Sequence, residues 1–502
     1  MSGGSEVFNS MQFLRRKKPI PRIEVVDLDD MPPVRTDGRS ANREYAVITY
    51  GFFLLFLAMS VYFVYFVGFA GEEFINNPYN PRLSMFADTT TRGSIYSADD
   101  ALLAETQRSD AGEKRVYPKG SEYAHVVGFA SKGMAGVELS ANFYLLRSHS
   151  FIVDRIKNEM RGEKDRGDSV WTSLDSRVMD AAYAAMGYFN GAAVAIDPDT
   201  GHILALVSKP DFDPNGIDAN WEYYTSDPAS SVLLNRAVQG LYPPGSTFKI
   251  LTALEYLKEG GSLEDSFECT GTFSEDGTTI HCYHSIVHGA QTFEEAFGNS
   301  CNCAFAKVGL SINNDAFKRL LKRALFGRTL PADIRPTEKS SFSLDHPDTA
   351  LIMQTAIGQG ETLVTPLHMA MLAAAISNHG VLMEPSLLTK IKSDNGTTVK
   401  TFHEKEYGAI FEEDENDILR QIMRFAVEHG TVGGVNASNY TAYGKTGTAE
   451  FSENSEEAHS WFVGFAESDE KKIALAVILE RAGSGSEFAV PFARKVFDAY
   501  FE

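Results

Sequence analysis

Tyr242-Pro243-Pro244-Gly245 is a rigid turn that releases the chain into Ser246-Thr247-Phe248-Lys249-Ile250, an expected helix running to Glu259 and stopped by Gly260-Gly261. Residues three apart on a helix share a face, so the Ser246 hydroxyl and the Lys249 amine can meet while Phe248, Leu251, Leu254 and Leu257 bury another side. A serine nucleophile needs a base, and an ammonium cannot serve as one. Burial and a second nearby cation lower a lysine pKa, and neutral Lys249 then accepts the Ser246 proton. Alone, S-x-x-K recurs by chance in long chains, where it is a capping serine with a solvated lysine.

Two further elements change that reading. Asn299-Ser300-Cys301-Asn302 supplies a hydroxyl and an amide from one short turn, and Gly444-Lys445-Thr446-Gly447-Thr448 places a cation and two hydroxyls on an expected strand. Taken singly, Ser300 is an ordinary cap and Lys445-Thr446-Gly447 a strand ending in a turn. The order S-x-x-K, S-x-N, K-T-G is the joint signature of a serine acyl-enzyme site.

The surrounding texture is that of a globular domain from Ser169 onward. Ala192 to Ile196 and Ile203 to Val207 are apolar β-runs around Asp197-Pro198-Asp199-Thr200-Gly201, which predicts a hairpin. Ser460 to Ala466 and Ile473 to Leu479 predict a second pair, able to share one antiparallel sheet with the first. Between them the pattern is mainly helical over 246–259, 362–379 and 412–429, with a last helix at 489–501. Helices segregated from an antiparallel sheet give an α+β domain.

Upstream, Tyr45 to Gly71 carries no charged side chain and is long enough to cross a hydrocarbon layer of roughly 30 Å as a helix. A buried core helix normally keeps a polar face. A cleaved signal peptide is the rival, since Gly68-Phe69-Ala70 offers small residues. The 44 residues ahead of the span and its length favour an uncleaved anchor. Arg15, Arg16, Lys17, Lys18, Arg22, Arg35, Arg39 and Arg43 precede the span and Arg82 alone follows closely, so the positive-inside rule puts the N-terminus in the cytoplasm and the bulk outside. The expected organisation is a disordered cytoplasmic tail at 1–44, an anchor at 45–71, a small pedestal at 72–168 and a catalytic domain at 169–502. Within the pedestal, Ser94-Ile95-Tyr96 and His125 to Phe129 read as strands and Val137 to Leu146 as a helix.

With 502 residues the chain exceeds the size at which one core stops growing. Its net charge of −21, from 46 Lys+Arg against 67 Asp+Glu, argues against nucleic acid as the partner. Four cysteines, Cys269, Cys282, Cys301 and Cys303, are too few for a disulfide scaffold and lack the paired spacing of zinc sites, so neither a structural metal nor another cofactor is expected. His281, His284 and His288 have no acidic or cysteine partner at fixed spacing. Cys301 is expected to point away from the cleft and pack. Cys269 and Cys282 flank an expected hairpin, and a disulfide or free thiols are both open.

Residues 169–502 resemble the transpeptidase module of class B penicillin-binding proteins, in the three motifs and in Thr172-Ser173-Leu174-Asp175, Asn235-Arg236-Ala237, Gly358-Gln359-Gly360 and Thr365-Pro366. Arg92 to Tyr96 and Gly136-Val137-Glu138 resemble elements of that family's N-terminal module. The resemblance implies a penicillin-binding, serine β-lactamase-like fold and a peptidoglycan D,D-transpeptidase. Ser246 would attack the penultimate D-Ala carbonyl of a stem peptide with Lys249 as base. Ser300 would relay a proton, Asn302 would hold the substrate backbone, and Lys445 with Thr446, Gly447 and Thr448 would receive the terminal carboxylate. Backbone N–H groups of Ser246 and Thr448 would form the oxyanion hole. β-Lactams, which resemble D-Ala-D-Ala, would acylate Ser246.

The hundred or so residues between anchor and domain are too few for a glycan-polymerising module beside a pedestal, which implies a separate membrane polymerase as partner. They also put a dimerising role in doubt, and no accessory domain is expected after Glu502. No Glu-x-x-x-Asn element of a class A β-lactamase falls between Asn302 and Lys445, which disfavours rapid deacylation. The rival readings are a D,D-carboxypeptidase, which hands the acyl group to water, and a non-catalytic β-lactam sensor or scaffold.

Overall fold

The computed structural model describes residues 41–66, 88–110, 112–227, 230–450 and 458–502. The chain forms two compact units, Met1–Glu72 and Glu73–Glu502. In the first, the apolar run forms one helix, Ala41–Tyr65, of which the 23 residues from Arg43 to Tyr65 are long and apolar enough to cross a membrane. The expected tail, except for 41–44 at the start of this helix, and the last residues of the expected span lie outside the described residues.

The second unit is built on a five-stranded antiparallel sheet. In chain order its strands are β1 (Gly191–Ile196), β2 (Ile203–Lys209), β3 (Thr441–Glu450), β4 (Ala458–Glu467) and β5 (Lys472–Leu479), and in space they run β3-β4-β5-β1-β2. Both expected hairpins form, β1 with β2 and β4 with β5. The two chain-distant pairs meet where Ala476 faces Val194, and β3 closes one edge with Lys445 opposite Val463. β1 is buried at every position, and β5 at all but its first, so helices cover both faces of the sheet. Helix Pro366–Ser377 packs on β1, β4 and β5. Being apolar all round, it is buried from end to end. Thr365 accepts from the His368 N–H at 3.2 Å to cap it, and Pro366 takes the position where no amide donor is needed. Helices Ser176–Met186 and Val490–Phe501 pack against each other and against β2 and β5.

A second, six-stranded sheet runs through segments 398–401, 388–392, 169–172, 95–96, 102–109 and 112–116 in spatial order. Val170 faces Ile95 on one side and Ile391 on the other, so this sheet joins the residues before 169 to a hairpin some 220 positions later. Glu138, wholly buried, sits between Arg92 (Nε to Oε2, 2.5 Å) and Arg115 (Nε to Oε1, 2.7 Å). A buried carboxylate needs such partners, because an isolated one would cost several kcal/mol.

Two expectations in this region are corrected. His125 to Phe129 is not a strand: Ala124–Val127 is one helical turn ended by Gly128 at φ +81°, and a Cβ there would lie 1.9 Å from the Ala135 carbonyl oxygen. The helix expected over 137–146 is two short ones, Gly136–Ser140 and Asn142–Leu145, because Ala141 at φ −102°, ψ 9° leaves helical geometry.

Candidate active site

The proline turn is held before the helix begins. Tyr242 exchanges backbone hydrogen bonds with Val364 (3.0 and 2.8 Å), and its hydroxyl donates to Glu480 Oε1 at 2.7 Å. The same oxygen accepts from Arg236 Nε at 2.7 Å, which explains the Asn235-Arg236-Ala237 motif as an anchor for the turn. Gly245 takes φ +52°, and its N–H donates to the Gly358 carbonyl at 2.9 Å. Gly358 approaches so closely, at φ +73°, that a Cβ would lie 2.1 Å from the Gly245 oxygen. Ser246 follows in a tight 3-10 turn, Gly245–Phe248, which passes into the α-helix Lys249–Lys258. The helical reading holds, with its first turn wound tighter than expected.

Lys249 is fully buried, and its Nζ donates to the Ser300 carbonyl and to Asn302 Oδ1, each at 2.7 Å. The amine thus ties the first motif to the second, rather than donating to Ser246 Oγ. Burial pushes the Lys249 pKa down to about 8. Helix Phe293–Gly298, closed at its start by a Thr292–Glu295 capping box, delivers Ser300 into a left-handed conformation at φ +59°, unusual for a non-glycine residue. Asn302 then opens helix Asn302–Ser311, and its Nδ2 donates to the His281 carbonyl at 2.9 Å.

The third motif lies on β3 as expected. Gly447 is where the strand passes the proline turn, since a Cβ there would lie 2.9 Å from the Pro244 oxygen and 3.0 Å from Thr247 Cγ2. Lys445 is fully buried, and burial together with the Lys249 cation pushes it well below its ordinary range. No carboxylate pairs with it among the described residues. A groove of about 1080 Å³ is lined by Ser246, Ser300, Asn302, Thr446 and Thr448, so the three motifs share one cleft with both lysines beneath its floor.

Three groups here escaped the sequence reading. Thr431 Oγ1 lies 2.6 Å from Thr446 Oγ1, the Gly485 N–H donates to Thr448 Oγ1 at 3.3 Å, and the Gln359 amide, turned to suit its partners, pairs with both backbone groups of Glu450 (3.0 and 3.1 Å). Thr431 sits in a loop and Gly485 opens the π-helical turn Gly485–Ala489, neither with a motif of its own; Gln359 was visible only as part of Gly358-Gln359-Gly360.

Cys301 lies outside the groove lining and is buried with Cys269, Cys282, Cys303, Ala296 and Ala304, packed as expected. All four thiols are buried and free, with Cys269 and Cys282 Sγ 3.7 Å apart rather than bonded. His288 has a cysteine partner after all, its Nδ1 lying 3.3 Å from Cys269 Sγ. These residues come from different elements, so no short spacing in the sequence announces them.

Comparison with known proteins agrees with this geometry. The family described as penicillin binding protein transpeptidase domain matches residues 191–498, and that described as penicillin binding protein A dimerisation domain matches 92–170, the stretch read as a pedestal. The chain is 32% identical over 467 residues to the peptidoglycan D,D-transpeptidase PbpA of Mycolicibacterium smegmatis, covering 86% of this chain and 93% of the relative. It is 31% identical over 446 residues to the peptidoglycan D,D-transpeptidase MrdA of Acinetobacter baumannii, covering 76% and 65%. Penicillin-binding protein A of M. tuberculosis, solved as a ceftriaxone acyl-enzyme, superposes with a TM-score of 0.75 at 28% identity, covering 84% of this chain and all of that one.

Proposed function

The chain belongs to the penicillin-binding protein transpeptidases, and from that premise we propose that its acyl-transfer machinery is Ser246, Lys249, Ser300, Asn302, Lys445, Thr446, Gly447 and Thr448. The protein is a peptidoglycan D,D-transpeptidase and a covalent target of β-lactams. Ser246 Oγ attacks the penultimate D-Ala carbonyl carbon as its proton passes to neutral Lys249. The N–H groups of Ser246 and Thr448 face the developing oxyanion, each such donor contributing roughly 3–4 kcal/mol in other acyl-transfer enzymes. Collapse breaks the C–N bond, the departing D-Ala amine takes a proton relayed through Ser300, and an ester remains on Ser246. An amine of a neighbouring stem peptide then attacks the ester, gives up its proton, and leaves Ser246 free.

Lys445 gains an anionic partner when the substrate carboxylate docks with Thr446 and Thr448. The hydroxyl pair Thr431–Thr446 orients that receptor. The observation that carries the assignment is Lys249 Nζ held at 2.7 Å by both Ser300 and Asn302, beneath a groove that Ser246 lines. We propose further that Ala41–Tyr65 anchors the chain with its N-terminus in the cytoplasm and the second unit outside, where a membrane glycan polymerase supplies strands to cross-link.

Intact membranes labelled with a fluorescent penicillin test the site. Wild type is expected to label and Ser246→Ala not to; equal labelling of both would remove Ser246 from the role. Mass spectrometry of products formed with and without an acceptor amine then separates transfer from hydrolysis, and water-only products would favour a carboxypeptidase.

A further inference from the structure

Beside the cleft, next to the groove-lining residues His281, Ser300 and Asn302, the chain gathers Cys269, Cys282, His288 and Cys301 so that one ligand atom of each lies within 4.8 Å of all the others. Cys269 ends strand Ser266–Cys269, Cys282 follows strand Thr278–His281, His288 precedes strand Gly289–Thr292, and Cys301 caps helix Asn302–Ser311. The distances are informative. Four ligands around a tetrahedral zinc stand about 3.8 Å apart sulfur to sulfur and about 3.5 Å sulfur to nitrogen, given bonds of about 2.3 and 2.0 Å. Here Cys269 and Cys282 Sγ are 3.7 Å apart, Cys282 and Cys301 Sγ 3.8 Å, and Cys269 Sγ and His288 Nδ1 3.3 Å.

Two backbone amides also point at sulfur: Gly271 N–H donates to Cys269 Sγ and Ala304 N–H to Cys301 Sγ, both at 3.4 Å. Such donors favour thiolate over thiol and are the outer support a metal centre needs. Cys303 Sγ lies 3.5 Å from Cys282 Sγ and accepts from its S–H in the free thiol, a bond given up when Cys282 ligates the metal.

We propose that Cys269, Cys282, Cys301 and His288 Nδ1 bind one zinc ion, with Cys303 outside the coordination shell. The ligand set, soft thiolates with one imidazole in tetrahedral array, selects zinc over magnesium or calcium. Binding releases the three thiol protons to solvent. All four positions are then filled by protein, so the ion is structural rather than reactive.

Its place gives it a second consequence, which rests on the site assigned above. Cys301 is the middle residue of Ser300-Cys301-Asn302, and Asn302 Nδ2 donates to the carbonyl of His281, the neighbour of Cys282. Zinc therefore clamps both walls of the contact that presents the Ser300 carbonyl and Asn302 Oδ1 to Lys249. The four ligands are positioning residues for acylation.

The test uses the full chain purified in detergent from zinc-supplemented cells. Mass spectrometric metal analysis is expected to find close to one zinc per chain, abolished in Cys269→Ser, His288→Ala and Cys301→Ser but retained in Cys303→Ser. Cobalt exchanged into wild type is expected to show thiolate-to-metal charge-transfer and tetrahedral ligand-field bands, a readout that stands even where a variant fails to fold. Stripping with a chelator is expected to slow penicillin acylation at least about tenfold, and added zinc to restore it. Wild type that is free of zinc, or that carries a Cys269–Cys282 disulfide, overturns the proposal. So does zinc content unchanged by His288→Ala and Cys301→Ser. Metal analysis needs no substrate, so zinc bound normally in a chain that penicillin does not acylate would sink the acyl-enzyme assignment and leave the metal site standing.

Discussion

Lys249 owes its usefulness to what surrounds it: two neutral acceptors at 2.7 Å and, among the described residues, no paired carboxylate. A buried ammonium so placed gives up its proton early, near pH 8. The sign of the pH dependence follows, since only the neutral amine accepts the Ser246 proton. The rate constant for acylation by penicillin is expected to climb as pH rises from about 6, reach half its plateau near pH 8 and level off above it. Stopped-flow acylation measured across that range checks this, and a profile flat through pH 8 would take the base role from Lys249. Ser246, Lys249, Ser300, Asn302 and Lys445, which the fold gathers at one groove, were legible in the sequence because the proposed chemistry restricts both residue type and spacing. Thr431 was not legible, since a hydroxyl in a loop acquires its role only through the neighbour that folding brings, here Thr446. The zinc ligands were hidden for the same reason: spacing reveals ligands carried by one hairpin, and these are spread from 269 to 301.

At the level of elements, the hairpins around 197–201 and 468–472 were readable because apolar runs of strand length end in strong turn residues. The turn at 124–128 was misread, since four or five apolar residues fit a strand or one helical turn equally well. Two glycines isolate what the strand–turn junction demands. Gly358 and Gly327 have nearly equal torsions, φ +73° and +75°, but a Cβ at Gly327 would meet nothing within 4 Å, whereas at Gly358 it would strike the Gly245 oxygen. Gly327→Ala is expected to cost about 1 kcal/mol of stability from backbone strain alone. Gly358→Ala is expected to cost several times that or to displace the Ser246 turn, with acylation slowed more than about tenfold. Thermal denaturation with penicillin acylation rates measures both, and equal losses in the two variants would refute the close packing.

For the molecule as a whole, the helix Pro366–Ser377 is the spine of the catalytic unit, and it carries a fully buried histidine. His368 Nε2 faces the Ala324 carbonyl and Nδ1 faces the Ser340 hydroxyl, each at 2.7 Å, an arrangement for the neutral ring. Burial pushes its pKa down to about 4. The unfolded chain takes up that proton near pH 6.5 and the folded chain does not until about pH 4, so the contribution of this residue to stability is intact above 6.5 and lost progressively between the two values. Relative to His368→Gln, wild type is expected to lose about 3 kcal/mol over that window, read as converging or crossing melting temperatures. A difference independent of pH would show that the ring is charged in the folded protein.

The six-stranded sheet sets a condition on how such chains diversify. Val170 has Ile95 as neighbour on one side and Ile391 on the other, so residues 92–170 and the hairpin at 388–401 form one fabric although a reader of the linear order would assign them to different modules. Exchanging the first without the second would lay a foreign strand against an unmatched edge, and hybrids between relatives should survive only when both pieces come from the same parent.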